Sequence, residues 1–470
     1  MSSSSSKISL VNLPGTASKQ WSIAIGVTFF IYLSVVRAIR WRRYNSIHRK
    51  YEHKFLQGER LSPEEAQEIM HTSAMYDMPL LMNYALSFAL FKTYAIPSIS
   101  QILSDTKELK SVEGMSKRYA DTELLISTWV FCPISGRSQE SPLAQPSSPE
   151  TKRKGEEVTV QVDDPRAMIA LARVNWLHSK YPITNDDYLY TLGLFIFEPV
   201  YVLFSNPQDW TNTYGWRGLS LMESHAFFIF WVEIGRRMGI KDIPESPESF
   251  RQWIMEYETK VMVPAQTNYD VATYTTEELL HAIPKRFGMK SFARKLTICA
   301  LDDNVRKAMM QPSQSIYLHA LFKSILHIFS FIQRHLCLPR SQSNPGGGIV
   351  IPLDQASDAR GPAENSKPHP HHLHYQHHHL HLHRSHPKWF QARPWYMPIP
   401  NNLFNKSKIW ISLKLGLYDV PPGPNLRSEG YRLEEMGPVR FEQHGQDEVM
   451  RKAEEMYGCP ITGPFSRRGY

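Results

Sequence analysis

With 470 residues, 42% hydrophobic and 21% charged, the chain holds enough apolar material for a large buried core, and fibrous or wholly disordered classes are excluded. A mean hydropathy of -0.37 is too polar for a polytopic membrane protein. The net charge of +8 is mild, and the densest basic group (Arg37, Arg40, Arg42, Arg43) directly follows an apolar run. That arrangement points to a membrane surface and away from nucleic acid.

In chain order, residues 1–20 read as a short lumenal N-terminus and 21–41 as a transmembrane anchor. Trp21 to Val36 is broken only by small or hydroxylated residues, and the basic residues after it can snorkel, so one tilted span fits. Basic residues after the apolar run, with no small-residue cleavage site, indicate an uncleaved anchor whose bulk lies in the cytosol. Residues 51–338 then read as one helical domain. Ser62-Pro63-Glu64-Glu65, Thr184 with Asp187, Ser246-Pro247-Glu248 and Thr275 with Glu278 are helix-start signals. The apolar segments Leu80–Ala95, Tyr188–Phe204, Ala226–Val232 and Ile316–Ile332 are expected to be core helices, each punctuated by polar residues.

Two stretches lack apolar period. Residues 136–163, rich in Pro, Ser and charge, read as a disordered insertion, and 339–388 as a Pro/Gly/His-rich linker. The last block, 389–470, is rich in proline and is expected to be an irregular wrap packing on the helical domain. Within it, Ile409, Trp410, Leu413 and Leu417 with Lys406, Lys408 and Lys414 suit either an interfacial membrane contact or an ordinary packing helix. The sequon Asn405-Lys406-Ser407 should stay unmodified in a cytosolic domain. Four widely spaced cysteines with no CxxC pair imply neither a disulfide framework nor a zinc site. The expected fold class is therefore all-α.

The chain has no GxGxxG after a strand, no Walker loop, no HExxH and no GxSxG, so dinucleotide-binding, kinase and common hydrolase readings drop. No cysteine sits in a Gly-rich loop suited to thiolate-ligated haem. One constellation survives. In Asp164–His178, His178 shares a helical face with Val174 and Leu171. An imidazole on an apolar stripe suits an axial ligand to haem iron, and equally a hydrogen-bonded core histidine. Upstream, Arg118, Asp121 and Thr122 fall on one helical face, where they could steer bound oxygen, hold a propionate or form a plain ion pair.

The ordered segments KRYADTELL (117–125), ALARVNWLHSKY (170–181), DDYLYTLGLFIFEP (186–199), YGWRGLSLME (214–223), RPWY (393–396), GYRLEEMGP (430–438) and GCP (458–460) resemble the MpaB-type membrane oxygenases. That family shares its catalytic domain with bacterial rubber oxygenases, the latex clearing proteins. The resemblance implies an all-helical haem b protein in which His178 matches the proximal iron ligand and Arg118 and Thr122 match the distal Arg and Thr. Asp121 completes the catalytic candidates, and Arg173, on the same segment as His178, is a second cofactor-binding candidate. The rubber oxygenases carry a Lys where this chain has Asp121, and an acid cannot serve as the same cationic gate. A carboxylate base is implied without a fixed position; Asp121, Glu123 and Glu198 are its candidates. The implied chemistry is oxidative cleavage of a C=C bond in the prenyl chain of a lipophilic, meroterpenoid-like secondary metabolite, at the endoplasmic reticulum membrane.

Two other readings stay open. Glu278-Leu279-Leu280-His281 has the Glu-x-x-His spacing of helical di-iron oxygenases, although two such motifs are needed. The cluster of histidines from His371 to His383 could bind zinc, copper or nickel in a non-enzymatic membrane protein. His225, His319, His327 and His335 are rival axial ligands outside the segments that carry the resemblance.

Overall fold

The computed structural model describes residues 15–106, 108, 112–139, 161–200, 210–281, 283, 288–341, 384–388, 390 and 392–467. The described chain is predominantly helical, as the period of its apolar residues requires. The helices are α1 (Gly15–Arg40), α2 (Arg42–Leu56), α3 (Pro63–His71), α4 (Pro79–Thr93), α5 (Pro97–Asp105) and α6 (Val112–Phe131). After them come α7 (Arg166–His178), α8 (Asn185–Phe197), α9 (Trp210–Tyr214), α10 (Leu221–Arg237), α11 (Pro247–Val261) and α12 (Gln266–Leu279). The series closes with α13 (Met289–Ile298), α14 (Asp303–Ala308), α15 (Ile316–His335), α16 (Leu403–Lys414) and α17 (Gln446–Tyr457).

Local chemistry sets the starts of several helices. Ser62 and Glu65 form a reciprocal capping box at α3, with Pro63 in the first turn. Thr184 caps α8 by accepting from the Asp187 N–H, and Ser246 caps α11 through Ser249. Ser220 with Glu223 does the same for α10, a signal the sequence reading passed over. Thr275 is a correction: α12 starts at Gln266, so this threonine lies inside the helix, buried, and caps nothing.

α7 occupies the centre. Eleven of its thirteen residues are buried, because α6 lies on one side of it and α17 with the Leu433–Glu435 turn on another. A helix enclosed this way must be apolar nearly all round, with each polar exception partnered. Asn175 donates to the Arg237 carbonyl at 3.1 Å, and Arg166 forms a 2.8 Å ion pair with Asp164 just before the helix. α10 packs on α3 and α8, and α4 on α8, extending the same core.

The only strands among the described residues are Arg137–Gln139 and Gln161–Asp163, an antiparallel pair with Arg137 opposite Asp163. They close the base of the inserted stretch, whose residues 140–160 lie outside the described residues, as does the linker from 342 to 383 with its histidine cluster. The C-terminal block combines α16 and α17 with short 3-10 turns and extended chain.

The expectation of core helices holds for α10 and, as far as Phe197, for α8, both largely buried; the chain turns at 198–200, and 201–204 lie outside the described residues. It fails for α15, where Gln333 alone is buried and most large apolar side chains face outward. The periodicity is present, but the apolar side of α15 is turned away from the protein. α1 is similarly bare: Trp21 is 72% and Phe30 71% exposed. Its 26 residues span about 39 Å at 1.5 Å per residue, more than the roughly 30 Å hydrocarbon layer, so α1 is a candidate membrane anchor. α16 buries no residue; Trp410 is exposed and Ile409 and Leu413 are half-buried.

Candidate functional site

Three helices each present one stripe to a common cavity of about 650 Å³, inside the usual range for ligand pockets. From α6 come Gly114, Lys117, Arg118, Asp121, Thr122, Leu125, Ile126 and Trp129, spaced at three and four residues as one helical face must be. α7 supplies Val174, Leu177 and His178, and α8 supplies Tyr188, Thr191, Leu192 and Phe195. Leu90 and Thr93 of α4, Ile99, Ile102 and Leu103 of α5, Trp231 and Ile234 of α10 and the loops around Trp395 and Pro438 add to the wall. Exposed Glu113 and Val439 stand at the rim, so the cavity meets the surface.

His178 ends α7 and faces this cavity, with its ring 5.6 Å from that of Tyr188. Its Nδ1 is buried and has no hydrogen-bond partner among the described residues. Burial, reinforced by the nearby Arg118 guanidinium, pushes its pKa down to about 4. The imidazole is therefore neutral at physiological pH, the form that ligates metals. A core histidine would ordinarily have both nitrogens satisfied. Arg118 shares the cavity, and no carboxylate among the described residues forms an ion pair with it. Thr122, one turn on, lies on the same wall. The structure thus brings Arg118, Thr122 and His178 together around one largely apolar void.

Asp121 also borders the cavity, but its oxygens are engaged. It pairs with Lys117 at 2.7 Å, accepts the Tyr396 hydroxyl at 2.5 Å and accepts the Gly437 N–H at 3.1 Å. Lys117 further donates to the Gly437 carbonyl at 2.6 Å and pairs with Glu442 at 2.9 Å. Burial pushes the Asp121 carboxyl above its usual range, against the pull of Lys117. The cationic group beside Asp121 is thus supplied from one turn earlier. Gly437 sits at φ 121°, where a Cβ would come within 2.9 Å of the Leu177 side chain, so both backbone strain and space demand glycine.

Arg173 departs from the sequence expectation. It is fully buried outside the cavity wall, and its guanidinium donates to the carbonyls of Met436, His444 and Phe441 at 2.6, 2.8 and 2.8 Å. All of those acceptors belong to the C-terminal block, so Arg173 clamps that block to α7. The pattern could not reveal this, because the acceptors are backbone atoms more than 260 residues away. Glu123 and Glu198 also lie off the wall: Glu123 accepts from Asn83 at 3.3 Å and Glu198 pairs with Lys92 at 3.0 Å. None of His225, His319, His327 and His335 borders the cavity.

The Glu278-x-x-His281 spacing leads to no multi-ligand site. His281 pairs with Asp419 at 2.5 Å, and no group of three or more His, Cys, Asp or Glu side chains suited to a metal ion occurs among the described residues. Residues that sequence reading missed are Trp395 and Tyr396, which dock the last block onto α6: the Trp395 indole donates to Ser116 at 3.1 Å, and Tyr396 to Asp121.

Comparison with known proteins bears on the same elements. Residues 101–325 match the model of the family described as ER-bound oxygenase mpaB/B'/rubber oxygenase, catalytic domain, a range that takes in α6, α7 and α8. The chain is 31% identical over 309 residues to the ER-bound oxygenase mpaB of Penicillium roqueforti (strain FM164), covering 62% of this chain and 91% of that protein. The chain belongs to this oxygenase family. It is also 28% identical over 459 residues to the ER-bound oxygenase mpaB' of Penicillium brevicompactum, covering 93% of this chain and 92% of the relative. The alignment with that relative therefore extends well past the catalytic domain. As a member of the mpaB/rubber oxygenase family the protein is an oxidoreductase, and the cavity between α6, α7 and α8 is its candidate active site.

Proposed function

We propose that this oxygenase is haem-dependent, that His178 is the axial ligand to the iron, and that it cleaves a C=C bond in the prenyl chain of a lipophilic secondary metabolite. The observation that carries the reading is the His178 side chain on the wall of a largely apolar cavity, a neutral imidazole whose buried Nδ1 has no hydrogen-bond partner among the described residues. The donor set fits the cofactor. A neutral imidazole can hold iron, Leu177, Val174 and Phe195 supply apolar walls, and Arg118 offers an uncommitted cation for a carboxylate or a bound oxygen. When bound, haem iron supplies dioxygen activation. This chain's own residues then have simpler tasks. Arg118 and Thr122 orient polar atoms at one wall, the aromatic and aliphatic side chains exclude water and align the chain of the substrate, and the Lys117–Asp121–Tyr396 cluster keeps the C-terminal cover closed over α6.

The proposed setting is the endoplasmic reticulum membrane, with α1 crossing once and the catalytic domain in the cytosol, as the basic residues after the apolar run favour. The names of the relatives, ER-bound oxygenases, support the endoplasmic reticulum as the membrane. A lipophilic substrate partitions into that bilayer, so tethering raises its local concentration.

The test is turnover of a prenylated phenolic substrate under ¹⁸O₂ by the detergent-purified protein. Two carbonyl fragments, each with one labelled oxygen before exchange, are expected. A single hydroxylated product of intact chain length would refute cleavage and leave a hydroxylase.

A further inference from the structure

α15 is attached to the protein along one side only. Phe322 and His327 lie against the Tyr214 ring at 6.2 and 5.9 Å, the Ser330 hydroxyl donates to the Gly215 carbonyl at 2.9 Å, and Gln333 is buried. On the other side Tyr317, Leu321, Ile325, Ile328, Phe331 and Ile332 are between 40% and 83% exposed. Their spacing makes one continuous apolar strip, of a kind that soluble surfaces rarely leave in water. α15 contains no acidic residue, while Lys323 and Arg334 are both exposed.

The neighbour of this strip is α1. The Tyr32 hydroxyl donates to the Leu336 carbonyl at 2.5 Å, Arg40 donates to the Cys337 carbonyl, and Arg43 to the Arg340 carbonyl at 3.3 Å. Tyr32 lies within the apolar run of α1, Arg40 ends that helix, and Arg43 lies in the first turn of α2 just after it. The C-terminal end of α15 therefore meets α1 where the candidate span leaves the hydrocarbon layer. We infer that α15 is a second membrane contact, lying along the bilayer surface with its outer strip among the acyl chains and Lys323 and Arg334 near lipid phosphates. It does not span, because its inner side is bonded to α9 and the following loop. The inference rests on the reading of α1 as the membrane anchor. Its consequence is a catalytic domain held at two points in a fixed tilt, where a lone helix would leave it free to swing.

The experiment uses the full-length chain in phosphatidylcholine/phosphatidylinositol vesicles that contain a phosphatidylcholine with a diazirine near the glycerol end of one acyl chain. After irradiation, lipid adducts are mapped by mass spectrometry on the native chain and on an Ile325→Ser/Ile328→Ser/Phe331→Ser variant. Adducts are expected on α1 and on the outer strip of α15, and the variant should lose the α15 adducts, keep those on α1 and keep its melting temperature. Adducts on α1 with α15 bare would overturn the inference and leave the anchor standing. Persistence of α15 adducts in the variant would also overturn it, since the apolar strip would not be what the lipid touches. A chain labelled on neither helix would remove the anchor and the inference together.

Discussion

α7 and α15 are both strongly apolar helices, and they end in opposite surroundings. α7 is enclosed by α6 and the C-terminal block, so Leu171 and Ala170 have no exposure at all, and its few polar groups all find partners or face the cavity. α15 touches the protein along one edge and turns Ile328 and Phe331, each 60% exposed, outward. The contrast teaches that hydrophobic periodicity identifies a face that must leave water without saying what removes it. For α7 the answer is protein and a cavity; for α15 it is the bilayer beside α1.

The buried side of this comparison should break most easily through its charges. Lys117→Ala leaves Asp121 as an uncompensated buried carboxylate, and a loss of about 3–5 kcal/mol is expected in chemical denaturation of the detergent-solubilised protein. Leu171→Ala should cost about 2–5 kcal/mol, since the site has no room to collapse. A smaller effect concerns pH. Burial holds the His71 imidazole below its usual range while its Nε2 bonds the Val130 carbonyl at 2.6 Å. The unfolded imidazole titrates near pH ~6.5, so below that value the unfolded chain takes up a proton that the folded chain resists. Stability should be flat in this term above pH ~6.5 and fall as the pH drops below it, with His71→Gln showing a shallower fall in the denaturation midpoint. Least of all should come Ile328→Ala on α15, within about 0.5 kcal/mol in detergent. A cost like that of Leu171→Ala would place α15 in a core and erase the contrast.

Much of this was readable in the chain. Period and caps specify α3, α8 and α11, and the R-x-x-x-T spacing puts Arg118 and Thr122 on one face because three and four residues complete a helical turn. His178 was legible as an imidazole on an apolar stripe, and the structure adds that its buried Nδ1 has no hydrogen-bond partner among the described residues. What could not be read are the long-range closures. Arg173 belongs to backbone carbonyls of the last block, Asp121 to Tyr396 and Gly437, and Trp395 to Ser116. Each joins segments separated by hundreds of residues, and no local pattern encodes the partner. Thr275 misled for a related reason: a Thr followed three residues later by Glu occurs inside helices as well as before them, and only the start at Gln266 decides.

The proposed chemistry depends on His178 holding the iron of a haem in the α6–α7–α8 cavity. The most direct measurement is the absorption spectrum of the detergent-purified protein beside a His178→Ala variant of equal melting temperature. A Soret band with matching iron and porphyrin content in the native protein, lost in the variant, is the predicted result; a native protein without porphyrin, or a variant with undiminished pigment, would contradict it.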